Sequence, residues 1–152
     1  MKTILVPIDF SDATESVLKT AREIGKAFGS RIVLFHGVET KLPSIELFPG
    51  LTEPPSACMA IPISTNLEWE DCEMAKAKSD FDESSLEVKT LILEGAVVSH
   101  ILEESQRADL IIMGSHGHGA LYHLLAGSIT QGVLKSATIP VMIVPYVRNQ
   151  EI

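Results

Sequence analysis

The sequence predicts an α/β protein in which a parallel sheet of five strands lies between two layers of helices. Five short apolar segments, rich in β-branched residues, alternate along the 152-residue chain with segments whose apolar residues recur at helical spacing. The first two of these segments are mostly apolar runs, which suits strands that are buried, whereas residues 87–94 alternate in their first half. We therefore expect a three-layer sandwich with four helices, folded as one domain over residues 1–152.

The first half of the chain gives the clearest pattern. Residues 2–8 predict the first strand, and the following helix runs to about Phe28, where Gly29 ends it. Residues 31–38 predict the second strand, so that strand, helix and strand form a βαβ unit. The apolar stripe predicted for the helix consists of Val17, Ala21, Ile24 and Phe28.

The second half continues the alternation after an irregular segment. That segment, residues 39–66, contains five of the eight prolines and several large apolar side chains. Two interpretations of it stay open: it packs on its own domain, or it covers a ligand or contacts a partner subunit. The remaining predicted helices cover residues 65–83, 97–107 and 128–137, and the remaining predicted strands cover 87–94, 109–113 and 141–144.

Residues 114–128 are predicted to carry the chemistry, because a glycine-rich loop here follows the fourth strand and leads into a helix. Glycines let a ligand approach the main chain closely. A helix N-terminus offers unpaired N–H groups and a partial positive charge, which suit a phosphate. Ser128 and Gln131 also have the spacing of a capping box at this helix start. A loop that only turns tightly is the alternative interpretation of the glycines.

Two common phosphate-binding loops are excluded by the residues themselves. A P-loop has Lys after its last glycine, and no Lys follows a glycine in this stretch. A Rossmann fingerprint places glycines on the first turn after the first strand, but that turn reads Pro7-Ile-Asp-Phe-Ser11. Any phosphate site in this chain must therefore have another pattern.

The glycines of this stretch have a spacing of their own, Gly-x2-Gly-x9-Gly-Ser, formed by Gly114, Gly117, Gly127 and Ser128. This pattern resembles the ATP-binding branch of the universal stress protein family. The resemblance extends over nearly the whole chain outside residues 39–66, and the first strand with its acidic residue is part of it. It implies the strand order 3-2-1-4-5, in which strands 1 and 4 adjoin where the winding of the sheet reverses and ligands bind.

The resemblance implies that the ligand is ATP, or ADP or AMP, with Mg²⁺ or Mn²⁺ at the phosphates. Asp9 would bond a ribose hydroxyl or hold the metal ion through water, and a role as helix cap is the alternative. Gly37 departs from the family pattern, in which a branched apolar residue is common at this position. His36 and His100 are assigned to structure. The residues implied to contact the nucleotide are Pro7, Ile8, Asp9, Gly37, Gly114, His116, Gly117, His118, Gly127, Ser128 and Ile129.

Composition and charge narrow the function. A net charge of −8 and an aromatic content of 5% argue against nucleic acid or an acidic membrane as the partner. No apolar run reaches the ~20 residues of a membrane span, and no signal peptide is recognised, so we expect a cytoplasmic protein. No Lys or Arg lies in the glycine-rich loop, which predicts no catalytic residue and at most slow ATP hydrolysis.

These features favour a regulatory, stress-response module whose nucleotide state modulates its conformation or its partners. Two alternatives stay open: a dimeric interaction or chaperone-like module with a vestigial nucleotide site, and a slow ATPase. The last strand is expected at a sheet edge, and exposed edges invite pairing. We therefore expect a homodimer, which the resemblance also implies, formed through Val141, Met142, Ile143 and Val144.

Overall fold

The strands and helices of the protein follow the predicted alternation. The computed structural model describes residues 1–39, 67–115 and 126–145. Within these residues five strands form one parallel sheet: β1 (Thr3–Pro7), β2 (Arg31–Val38), β3 (Val88–Glu94), β4 (Leu110–Gly114) and β5 (Val141–Val144). The same residues contain four α-helices: α1 (Thr14–Phe28), α2 (Leu67–Ser79), α3 (Val97–Ser105) and α4 (Ser128–Ser136). The irregular segment 39–66 lies outside the described residues except for its first residue.

The strand order is β3-β2-β1-β4-β5, which confirms the predicted order. Ile4 of β1 pairs with Ile32 of β2 on one side and with Leu110 of β4 on the other. The winding therefore reverses between β1 and β4, and a crevice is expected above the carboxyl ends of these two strands. The strands β3 and β5 form the two edges of the sheet.

The side chains of the sheet alternate between two cores, one on each face. Ile4 and Val6 of β1 face α1 and α2, whereas Leu5 of the same strand faces α3 and α4. All three side chains are almost completely buried. Burial of an aliphatic side chain of this size stabilises the fold by about 1.5–3 kcal/mol. The two cores therefore account for the three layers, because neither face of the sheet can be left in water.

Two predicted helix features differ from the structure. Phe28 is 57% exposed instead of lying on the buried stripe of α1, because the buried face of that helix ends at Gly25. The helix predicted to end at residue 83 ends at Ser79, and a single 3₁₀ turn at Asp82–Ser84 follows it. Gly29 ends α1 as predicted, in the left-handed conformation at φ 59°. None of the described helices has the length and apolarity that are needed to cross a bilayer.

The start of β1 is joined to the start of β4 by a carboxylate. Asp109 Oδ2 accepts hydrogen bonds from the main-chain N–H of Lys2 (2.7 Å) and of Thr3 (2.9 Å). The N–H of Asp109 in turn donates to the carbonyl oxygen of Thr3 over 2.9 Å. The hydrogen bonds from Thr3 and Lys2 hold the pKa of Asp109 below its usual value, because they favour the charged form. The ionised carboxylate therefore stabilises the pairing of β1 with β4.

Replacing Asp109 with Ala is expected to lower the Tm at pH 7 by a few degrees. The folded-state pKa is depressed, so this contribution is fully present above the unfolded-state pKa and is lost as the pH falls through the folded-state pKa. The difference in Tm between wild type and variant should therefore shrink from pH 7 down to about pH 3. Thermal unfolding followed by circular dichroism measures it, with the exposed Asp71→Ala on α2 as control. A difference that stays constant over this range would mean that the charge of Asp109 contributes nothing.

Candidate functional site

The predicted site residues that the structure describes lie together at the carboxyl edge of the sheet, by which we mean the carboxyl-terminal ends of its strands. Pro7 is the last residue of β1, and Gly114 is the last residue of β4. Continuing the pairing of Leu5 with Ile111 along these two strands places Ile8 beside Gly114. The remaining described members lie at the ends of neighbouring elements: Asp9 after β1, Gly37 on β2, and Gly127, Ser128 and Ile129 at the start of α4. His116, Gly117 and His118 lie outside the described residues.

The start of α4 is tied to the end of β4 by two hydrogen bonds. The N–H of Gly127 donates to the carbonyl oxygen of Ser115 over 2.8 Å. The Thr130 hydroxyl, on a side chain that is 4% exposed, donates to the carbonyl oxygen of Gly114 over 3.0 Å. Both bonds involve only described residues. The N-terminus of α4 is therefore fixed at the carboxyl end of β4, next to β1.

The N-terminus of α4 is not capped by a side chain. The predicted capping box is wrong, because the N-cap residue is Gly127 and not Ser128. The Gln131 amide donates to the carbonyl oxygen of Ala126 over 2.9 Å instead of closing a box. The first N–H groups of the helix therefore receive no acceptor from a capping side chain, and they offer hydrogen bonds and a partial positive charge to an anion.

Gly127 has backbone angles that other residues adopt as well, with φ −67° and ψ 164°. The conformation of the chain therefore does not require glycine at this position. Glycine is among the residues favoured at helix N-caps, and here it adds no side chain in front of the helix N-terminus. Gly127 differs in this respect from Gly29, whose left-handed φ of 59° does favour glycine.

Asp9 caps the turn that leads from β1 towards α1. Its Oδ1 accepts hydrogen bonds from the N–H of Ser11 (3.0 Å) and from the hydroxyl of Ser11 (2.6 Å). The N-cap residue of α1 itself is Ala13, without a side-chain hydrogen bond. Asp9 thus stabilises the turn and not the helix end. The carboxylate remains half-buried at the carboxyl edge.

The residue after Asp9 has a strained backbone. Phe10 has φ 58°, a left-handed conformation that costs a bulky residue about 1–3 kcal/mol. Its ring packs against His36, with 4.3 Å between ring centroids, and meets Trp69 of α2 edge-on at 5.6 Å. These ring contacts and the Asp9–Ser11 turn hold the strained conformation in place. The turn beside the candidate site is thereby linked to α2.

Gly37 turns its main chain towards the crevice. In β2 the N–H of Arg31 and the carbonyl of Phe35 bond to residues of the β1 segment, so alternate residues of β2 face β1. Gly37, two residues after Phe35, faces the same side, where β1 has already ended. A Cβ atom at Gly37 would lie 2.6 Å from Cγ1 of Val97. The close approach of α3 therefore explains why this position does not carry the branched residue that the family pattern favours.

The two histidines that sequence reasoning assigned to structure have main-chain partners. His36 is 8% exposed, and its Nδ1 donates to the carbonyl oxygen of Ile8 over 2.9 Å. A carbonyl oxygen can only accept, so Nδ1 carries the hydrogen. His100 makes a corresponding contact, with 3.1 Å between Nε2 and the carbonyl oxygen of Glu94. Both rings therefore have structural contacts, and those of His36 help to hold Ile8 and the Phe10 turn beside the candidate site.

Sequence reasoning missed Thr130, Phe10 and Trp69. A signal existed for Thr130, since a hydroxyl in the first turn of a helix that follows a glycine-rich loop often bonds to main chain nearby. The contact between Phe10 and Trp69 had no signal, because it joins residues far apart in the sequence. Among the described residues, no group of three or more His, Cys, Asp or Glu side chains could hold a metal ion.

The chain has full-length relatives among known proteins. The model of the universal stress protein family matches residues 1–145. Universal stress protein MJ0531 of Methanocaldococcus jannaschii is 33% identical over 146 residues, which cover 94% of this chain and 81% of that protein. Universal stress protein MJ0577 of the same organism is 28% identical, and the match covers 94% of each chain. The solved structure of MJ0577 aligns with a TM-score of 0.79 over 97% of this chain and 98% of its own.

The family match thus spans all five strands and all four described helices, including the carboxyl edge where the candidate site lies. The strand order and the structural alignment agree with it. The chain belongs to the universal stress protein family.

Proposed function

We propose that this chain is a single nucleotide-binding domain that binds ATP, or ADP or AMP, in the crevice between β1 and β4. Its nucleotide state would modulate its conformation or its partners in a stress response. The adenine would face the main chain of Gly37, the ribose would lie near Asp9 and Gly114, and the phosphates would lie at Gly127, Ser128 and Ile129. His116, Gly117 and His118 complete the proposed set from outside the described residues.

The observation that carries this proposal is the uncapped start of α4. It is held by hydrogen bonds beside the reversal point of the sheet, where ligands of open α/β sheets bind. A phosphate suits this place better than a neutral group does, because N–H groups and the helix dipole both favour negative charge. Pro7 and Ile8 add an apolar wall, since both are buried at the end of β1.

Two solved universal stress proteins of the same fold support an adenine nucleotide as the ligand. One was solved in complex with cAMP and has a TM-score of 0.66 with this chain at 17% identity. The other, from Archaeoglobus fulgidus, was solved in complex with dAMP and has a TM-score of 0.65 at 20% identity. Both ligands combine an adenine with a phosphate, which are the two groups that the main chain at Gly37 and α4 would bind.

A divalent cation would accompany the phosphates. The net charge of −8 opposes a polyphosphate, and an Mg²⁺ or Mn²⁺ ion would offset much of the ligand's charge. Asp9 would hold this ion through water. Because the described residues contain no cluster of metal ligands, the ion would enter with the nucleotide. Mg²⁺ commonly binds in this way, through one or two carboxylates and the substrate phosphates.

Replacing Gly127 with Val tests the phosphate position. The backbone angles of Gly127 suit Val, so a loss of binding cannot be attributed to backbone strain. We expect ATP affinity to fall at least ~10-fold, because one charge-assisted hydrogen bond contributes about 1.5–3 kcal/mol. Isothermal calorimetry measures the affinity, and Ser136→Val at the other end of α4 is the matched control. Unchanged ATP affinity in Gly127→Val, with a wild-type Tm, would remove α4 from the site.

Trp69 provides a second test, because it is the only tryptophan of the chain and its ring contacts Phe10 next to Asp9. We expect ATP to change the emission of Trp69. Adding Mg²⁺ should shift the midpoint of the ATP titration to lower concentration and leave that of AMP nearly unchanged, since AMP carries less charge. Phe10→Leu, which removes the ring contact, should bind ATP with a smaller change in emission. If calorimetry detects ATP binding while the emission stays constant, the Asp9 turn is not part of the site.

We also propose that two copies of the chain pair through β5. This strand is an edge of the sheet, and all four of its residues are half-buried. Ser115 N–H bonds to the carbonyl of Val144, and Ile111 N–H bonds to that of Pro140, so even-numbered residues face β4. The main-chain groups of Val141 and Ile143 therefore face outwards, where they could pair with a second copy.

Ile143→Pro removes one outward N–H group while sparing the bonds to β4, because proline is tolerated on an edge strand. We expect wild type to scatter light at twice the 16.5 kDa chain mass and the variant to scatter as a single chain. Ile143→Val keeps the N–H group and should remain dimeric. A wild type that scatters as one chain at every concentration would rule out the homodimer.

A further inference from the structure

A second cleft lies at the end of the sheet where the strands begin, opposite the candidate nucleotide site. It is found at the amino-terminal halves of β1, β2 and β3, beneath the end of α3, and has a volume of about 130 Å³. Its floor consists of the apolar side chains of Leu5, Val33 and Leu91. Leu5 is almost completely buried, whereas Val33 and Leu91 remain half-buried. The floor is therefore apolar and partly open.

The rim of this cleft is basic, although the chain as a whole is acidic. Arg31, Lys89 and Arg107 line it together with a single carboxylate, Glu104. The net charge of the chain is −8, so three cations around one small opening reverse the local sign. Arg31 is already paired, with 2.8 Å between its Nε and Oε1 of Glu87. The cleft thus favours a negative charge at its mouth.

The other two cations have no ion partner in the described part of the chain. No carboxylate of residues 1–39, 67–115 or 126–145 lies within ion-pair distance of Lys89 or Arg107. Glu104 lines the same cleft without pairing to either of them. The two side chains come from β3 and from the turn after α3, and both line the cleft. An anion between them would find two donors and an apolar surface below.

We propose that this cleft binds a small organic acid, with its carboxylate between Lys89 and Arg107 and a compact apolar body on Leu5, Val33 and Leu91. A volume of about 130 Å³ is well below the ~300 Å³ at which pockets for drug-sized ligands begin, so the cleft admits a compact acid and not a nucleotide. The walls are strands and a helix end, so the site is largely preformed. The residues that line the cleft do not include any residue of the proposed nucleotide site, so the two proposals can be tested separately.

A titration of the full-length protein with benzoate tests this proposal, monitored by amide NMR shifts in the presence of saturating ATP. We expect saturable shifts at Leu5, Val33, Leu91 and Ala108, and none at Gly114 or Gly127. The double variant Lys89→Gln/Arg107→Gln should bind benzoate about three- to tenfold more weakly, because each exposed ion pair contributes only a small part of the affinity. Benzoate affinity of the wild type should also fall with added salt.

The controls test separately the charge of the ligand, its ring and the position at which it binds. The double variant Lys26→Gln/Lys135→Gln removes two exposed cations at the ends of α1 and α4, and it should bind benzoate like wild type. Benzyl alcohol, without the charge, and acetate, without the ring, should each bind more weakly than benzoate. Equal binding by benzyl alcohol, or an unchanged affinity in Lys89→Gln/Arg107→Gln, would overturn the proposal. Shifts confined to the carboxyl edge would overturn it as well, because benzoate would then occupy a different site.

Discussion

The hydrogen bonds between the end of β4 and the start of α4 are the constraint on which the candidate site depends. Gly127 bonds to Ser115, and Thr130 bonds to Gly114, so the helix starts where the strand ends. Because β4 pairs with β1, the same bonds also fix the helix start relative to Asp9. The placement of the N–H groups is therefore supported by the packed sheet. In the proposed site, this fixed helix start would not lose binding energy to ordering its own main chain.

An acidic protein can bind an anion only if local interactions outweigh its overall charge. Exposed carboxylates far from the site are screened over about 8 Å at physiological ionic strength. A hydrogen bond to a charged group contributes about 1.5–3 kcal/mol, and a helix N-terminus adds about 0.3–1 kcal/mol. Several such contacts at α4 are what the proposed phosphate site would need to outweigh the remaining repulsion from the surface. In the proposed function, the net charge of −8 would therefore be a reason for a divalent ion and not an obstacle to phosphate binding.

The fold could be predicted from the sequence because the central strands β1, β2 and β4 are largely buried and read as apolar runs, and β2 begins and ends where predicted. It was less predictable which of several neighbouring residues caps a helix. Ser128 and Gln131 have capping-box spacing, but Gly127 precedes them and Gln131 finds another acceptor. Contacts between distant segments could not be predicted at all. The side chain of Val97 explains why residue 37 is a glycine, although the two residues are 60 positions apart and on different elements.

The direction of the helices gives opposite partial charges to the two ends of the strands. Helices start at the carboxyl edge and end at the amino edge, so the amino edge receives their partial negative charges and favours cations. Arg31 and Arg107 follow the ends of α1 and α3 and are accounted for in this way. Lys89 lies inside β3 and is exposed, and helix polarity gives no reason for its charge. Lys89 lines the second cleft together with Arg107, where the carboxylate of the proposed acid would pair with both.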